Sequence, residues 1–171
     1  MFSKYNFDFN EKTFEFKKLS KNDFISIKKI QDENTDSKTY FKLNDNEIID
    51  GIESNLFLGV FSENILMGFC LLLLPQDNEK SLYSDLNKNY LDVLTFDAVV
   101  VSKECRGFKM QKHFIEISKD ICKTNNIKYI GATVSPLNIY SKNNFIDCGF
   151  KIIDRKIKYG NNERLILQYE I

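Results

Sequence analysis

At 171 residues, 43% of them hydrophobic and 13% aromatic, the chain suits one domain with a real core. Its 24 basic and 24 acidic side chains cancel, which excludes a strong general attraction to nucleic acid or to an anionic membrane. Four cysteines, Cys70, Cys105, Cys122 and Cys148, form no CxxC pair and no ligand-like grouping with His113, so the expectation is no metal and a reduced, cytoplasmic setting. Residues 1–8 lack the apolar core of a signal peptide. The longest apolar stretch, residues 65–74, contains Gly68, is closed by Pro75 and is too short to cross a bilayer as a helix.

In chain order, residues 13–19 alternate enough for a first strand. Ser20 is a suitable N-cap for a helix burying Phe24, Ile27 and Ile30. A polar stretch at 32–37 precedes a short helix at about 45–53. Residues 56–61 and 65–74 flank Ser62-Glu63-Asn64 and predict a hairpin, and residues 76–90 are polar and expected to be irregular. The run Val93-Leu94-Thr95-Phe96-Asp97-Ala98-Val99-Val100-Val101, rich in β-branched and aromatic residues, predicts a central strand buried on both faces. Asp97 is its only carboxylate, and simple alternation puts it on the face of Val93, Thr95, Val99 and Val101.

An amphipathic helix follows, with Met110, Phe114, Ile117 and Ile121 on one stripe. A strand at 128–134 completes a βαβ unit, whose strands are parallel. A helix at 138–148 ends at Gly149, which suits the left-handed C′ position, with Phe150 folding back onto the last turn. Strands at 150–158 and 164–169 close the chain through the turn residues 159–162. Neither an internal repeat nor a linker to a second domain is evident, so residues 1–171 are expected to form a single domain.

The link from the central strand to the amphipathic helix reads Glu104-Cys105-Arg106-Gly107-Phe108-Lys109-Met110-Gln111-Lys112-His113. A strand that turns through one glycine into a helix offers unpaired backbone N–H groups and the positive end of the helix dipole to an anion. Arg106 and Lys109 add positive charge there. Cations at a helix start gain nothing from the dipole, and an anion explains them.

Two segments resemble the GNAT acyltransferase superfamily. Val101-Ser102-Lys103-Glu104-Cys105-Arg106-Gly107-Phe108-Lys109-Met110-Gln111 is similar to its acyl-coenzyme A motif, in which Lys103 replaces a proline, Lys109 a glycine and Gln111 a small residue that is glutamine in some members. The stretch from Ser135-Pro136-Leu137-Asn138 through Ser141 and Phe145 to Gly149-Phe150 is similar to its second motif, with Phe145 where many members carry a tyrosine that protonates the departing thiolate. The resemblance implies an α/β fold, a mixed sheet of about seven strands flanked by about four helices in the order β-α-α-β-β-β-α-β-α-β-β, with residues 1–12 as an unmatched extension.

It also implies acetyl-CoA as cosubstrate. Coenzyme A would be bound by Val99, Val100, Val101, Arg106, Gly107, Phe108, Lys109, Met110, Gln111, Asn138 and Ser141, with no metal. The central strand would splay from its parallel neighbour to bond the pantetheine arm. Asn138 can equally cap its helix. Asp97 is a candidate base for the incoming ammonium or a structural hydrogen-bond acceptor, and Tyr140 is a candidate acid or a packing residue. Cys105 and His113 receive no role.

The activity implied is transfer of acetyl to a primary amine in a ternary complex, the alternative being a coenzyme A-binding module without transfer. The acceptor, a small molecule or a peptide, would be shaped by residues 30–52 and 75–91, where Glu33, Asp36, Asp85 and Asp92 can attract an amine amid Lys38, Lys42 and Lys88. No nucleic-acid or membrane partner is expected, and a homodimer is an allowed state.

Overall fold

The computed structural model describes residues 2–35, 39, 40 and 42–171. Eight strands, β1 (Phe7–Phe9), β2 (Lys12–Lys18), β3 (Leu56–Ser62), β4 (Ile65–Leu73), β5 (Val93–Val101), β6 (Tyr129–Val134), β7 (Lys151–Lys158) and β8 (Asn162–Glu170), make one sheet in the order β1-β2-β3-β4-β5-β6-β8-β7. Every neighbouring pair is antiparallel except β5 and β6. That parallel pair needs a crossover, supplied by α4 (Met110–Thr124). The other helices are α1 (Phe24–Asn34), α2 (Asp45–Ser54), α3 (Tyr83–Leu86) and α5 (Ile139–Asp147).

Helices α1 and α2 cover one face of the sheet, burying Ile27, Ile30, Ile48 and Ile52 against Phe57, Phe69 and Leu71. The other face carries α4 and α5, with Phe114, Ile115, Ile117 and Phe145 against Phe16, Leu58, Leu94 and Phe96. Local chemistry fixes the helix starts. Ser20 and Asp23 form a capping box on a 3-10 turn that runs into α1, and Asn44 with Glu47 does the same for α2. Gly149, at φ +89°, ends α5, and Phe150 N–H donates back to Phe145 O at 3.0 Å.

The sheet has eight strands because the extension expected at 1–12 folds into it. Phe7–Phe9 pairs with β2. Phe7 stacks on His113 with ring centroids 4.4 Å apart, Phe9 lies 4.4 Å from Phe108, and Tyr5 donates to Asp120 Oδ2 at 2.5 Å. Residues 76–90 are likewise more ordered than their polarity suggests, since α3 buries Leu82 and Leu86 beside Val93. Asp36 and Lys38, counted among the charges near the acceptor, lie outside the described residues.

The largest departure from simple alternation is at Asp97. Leu71 pairs with Ala98 and Leu72 with Phe96, so Asp97 is an extra residue in β5, a β-bulge. Before the bulge Leu94 and Phe96 face α4 and α5. After it Val99 and Val101 do so, while Ala98 and Val100 turn into the α1/α2 core. The expected common face of Val93, Thr95, Asp97, Val99 and Val101 is therefore broken. Thr95 lies instead under α3, its Oγ1 accepting from Leu82 N–H at 3.0 Å.

Candidate active site

The ladder between β5 and β6 runs from Val93 and Tyr129 to Phe96 and Ala132 and stops there, although both strands continue. Beyond it β6 pairs with β8 through Thr133 and Val134, and β5 pairs with β4 alone. The strands splay, and the β5 backbone from Asp97 onward presents an unpaired edge to the gap. A cleft of about 600 Å³ opens there, with Asp97 and Val99 on one wall, Thr133 and Val134 on the other, and Asn138, Ser141 and Phe145 of α5 at one end.

At the far end of β5 the chain makes a 3-10 turn, Lys103–Cys105, and reaches α4 through two left-handed residues, Gly107 at φ +89° and Lys109 at φ +60°. No side chain caps α4 and no acid stands in its first turn, so its first N–H groups and its positive dipole end are uncompensated. Arg106 and Lys109 make no ion pair with any described residue.

The predicted site residues divide accordingly. Asp97, Val99, Asn138 and Ser141 line the cleft. Arg106, Gly107 and Lys109 form the exposed loop at the start of α4. Val100 and Met110 are buried, at 3% and 2% exposure, with Val100 in the α1/α2 core and Met110 against the opposite face. Val101 packs on the α4 side, and Phe108 meets Phe9 and Phe14. Gln111 donates to Ser141 Oγ at 2.8 Å and accepts from Asn144 Nδ2 at 2.9 Å, tying α4 to α5. For residues 107–111 only backbone N–H groups are then offered to a ligand, apart from the Lys109 side chain.

Tyr140 is 87% exposed and is not part of the lining, which corrects its placement as an acid near the reacting atoms. Helical geometry turns it outward while Phe145 faces in, edge-to-face with Phe96 at 5.2 Å. Asn138 caps α5, its Oδ1 accepting from Ser141 N–H at 3.1 Å, and also lines the cleft, so its two expected roles are compatible.

Burial pushes the Asp97 carboxyl up to about 6, the negative charge of Glu47 adds to the effect, and Lys80 opposes it. Glu47 and Lys80 line the same cleft and pair at 3.6 Å. Asp85 and Asp92, expected to attract an amine, are already engaged: Asp85 by Lys156 and Lys158, Asp92 by Lys128.

Tyr40, Glu47 and Lys80 line the cleft from within the segments 30–52 and 75–91 without having been singled out, whereas sequence reasoning missed Tyr159 and Arg164, which line it as well. Tyr159 was read as a turn residue. It does begin the β7–β8 turn, at a left-handed φ of +52° rare for a bulky side chain, with its hydroxyl 3.5 Å from Thr133 Oγ1. Its backbone conformation was the one signal present, and composition does not reveal it.

No family model and no curated protein sequence matches the chain. Solved structures do. The ribosomal-protein-S18-alanine N-acetyltransferase of Escherichia coli is similar with a TM-score of 0.72 at 13% identity, covering 92% of this chain and 94% of its own. An N-acetyltransferase of Staphylococcus aureus Mu50 gives 0.71 at 18% identity over 92% and 97%. A GNAT-family acetyltransferase of Streptococcus pneumoniae gives 0.70 at 11% over 92% and 99%. The chain therefore has the GNAT acetyltransferase fold.

Proposed function

We propose that the protein is an acyltransferase of the GNAT kind, moving an acetyl group from acetyl-CoA to a primary amine by direct transfer in a ternary complex. The observation that carries this reading is the succession of two unsatisfied backbone surfaces: the free edge of β5 beyond Phe96 is followed, after the Lys103–Cys105 turn and the Gly107 loop, by the uncapped start of α4. An elongated molecule with peptide-like amides at one end and a pyrophosphate at the other satisfies both.

The residues present fit that molecule. Backbone N–H groups at the start of α4, with Arg106 and Lys109, hold the pyrophosphate. The β5 edge at Val99–Val101 and the Asn138 amide orient the pantetheine arm. Acetyl-CoA supplies an activated thioester carbonyl. An N–H near Val99 is placed to stabilise charge developing on that carbonyl oxygen. Asp97, poised near 6, accepts the proton that the ammonium must lose before it attacks, either directly or through water. Phe145 has no proton to give and is left a packing role.

Two measurements test the reading. Coenzyme A at millimolar concentration should raise the melting temperature. Free thiol should appear when acetyl-CoA is mixed with an acceptor from a panel of amines. An unmoved melting temperature overturns the reading of the α4 loop. A shift without turnover on any amine favours the alternative of a binding module, to which Phe145 and Lys109 lend support.

A further inference from the structure

Arg164, on β8 opposite Lys156 of β7, lines the cleft yet is only 5% exposed. Its Nη1 donates to Thr39 O at 3.2 Å, and its Cζ lies 5.8 Å from the centre of the Tyr159 ring. Among the described residues no carboxylate stands within ion-pairing distance of it, and its Nε has no hydrogen-bond partner. Burial already weakens its hold on the proton relative to a free guanidinium. A guanidinium taken out of water without a counter-charge is costly, and the cost is recovered when an oxyanion accepts from its planar fork.

We propose that Arg164 anchors the carboxylate of the acceptor, so that the amine acetylated belongs to an amino acid rather than to a plain amine or a polyamine. This rests on the acetyltransferase reading above and sharpens it. The cleft is polarised: Asp97 provides a carboxylate suited to an ammonium, and Arg164 provides the one cation in the lining without a carboxylate among the described residues. Lys80 and Lys158 are paired with Glu47 and Asp85. Tyr159 lines the same cleft and feels the charges of both Asp97 and Arg164. A zwitterion satisfies both poles at once. A polyamine would bring a second ammonium towards Arg164 and is disfavoured.

The test compares free amino acids with their own amides and with the corresponding decarboxylated amines, using acetyl-CoA and thiol release. The wild-type chain should favour the acids by about tenfold or more in kcat/KM, because the amides leave the guanidinium unpaired. In Arg164→Gln that ratio should collapse towards one while the melting shift with coenzyme A persists. Arg164→Lys, which keeps the charge and loses the fork, should fall between.

Equal use of acids and amides by the wild-type chain, or an undiminished preference in Arg164→Gln, overturns the anchor and leaves the acetyltransferase reading standing. A second readout separates the two: the melting temperature with millimolar amino acid alone. If no amine is acetylated but amino acids stabilise the wild-type chain and stabilise Arg164→Lys less, the anchor stands and the transferase reading falls. If amino acids neither bind nor react, the anchor is overturned. Should Arg164→Gln fail to fold, the wild-type preference and Arg164→Lys decide.

Discussion

Gln111 and Ser141 join the start of α4 to the first turn of α5 through a 2.8 Å hydrogen bond, and Asn144 completes the contact by donating to the same amide. The motif that this loop resembles ends in a small residue or, in some members, in glutamine, which stands at 111 here. Here the glutamine side chain ties α4 to α5, which lines one end of the cleft.

Replacing Gln111 separates stability from anion binding. Gln111→Ala leaves Asn144 without its acceptor and should cost about 1–3 kcal/mol in denaturant unfolding. Gln111→Glu keeps an acceptor for Asn144 and places a negative charge in the first turn of α4, where the dipole welcomes it. That variant should lose much less stability than Gln111→Ala yet bind coenzyme A more weakly, because the new carboxylate competes for the same helix end.

At Gly107 an added Cβ meets nothing within 4 Å, so the demand is conformational. With φ at +89°, Gly107→Val should strain the loop by about 1–3 kcal/mol and abolish the melting shift with coenzyme A while the rest of the chain stays folded. Retention of the shift would place the phosphates elsewhere.

Asp97→Asn should leave coenzyme A binding nearly intact and lower turnover by about a hundredfold or more, since an amide keeps the shape and cannot take the proton. Turnover by the wild-type chain should rise through pH 6 as Asp97 ionises. In the variant the remaining activity should climb only at higher pH, as the acceptor amine deprotonates unaided. Unchanged turnover per folded molecule would make Asp97 a structural group.

The same carboxyl predicts a stability slope. Its folded pKa is raised from 3.8 to about 6, so between those values the native state holds more proton than the unfolded chain. Stability contributed by this group therefore falls as pH rises from about 4 to 6 and stays low above that window. Asp97→Asn should flatten the slope, read from urea midpoints at pH 4, 5, 6 and 7.

What the sequence showed and what it hid follow from how local each cause is. Val93–Val101 was legible as a strand at both ends because eight of its nine residues are apolar or β-branched and leave few alternatives. The end of α5 was legible because Gly149 and Phe150 carry their own capping chemistry. Phe7–Phe9 was hidden: three residues alternating phenylalanine with aspartate become a strand only because Phe14 and His113 receive them. The loop motif around Gly107 was readable in outline, since it depends on backbone. Arg164 and Tyr159 were not, because their significance comes from β8 and the turn before it closing one side of a gap whose other side lies some sixty residues earlier.

The bulge at Asp97 also governs how this chain should be matched to others. One supernumerary residue moves the side chains facing α4 and α5 from even to odd positions, so a pairing that counts straight through 97 against a strand lacking it sets Ala98 in place of Val99 and Val100 in place of Val101, and confuses one face of the sheet with the opposite core. The extra residue lies inside a strand rather than in a loop, so a gap opened for it against a strand without a bulge belongs there.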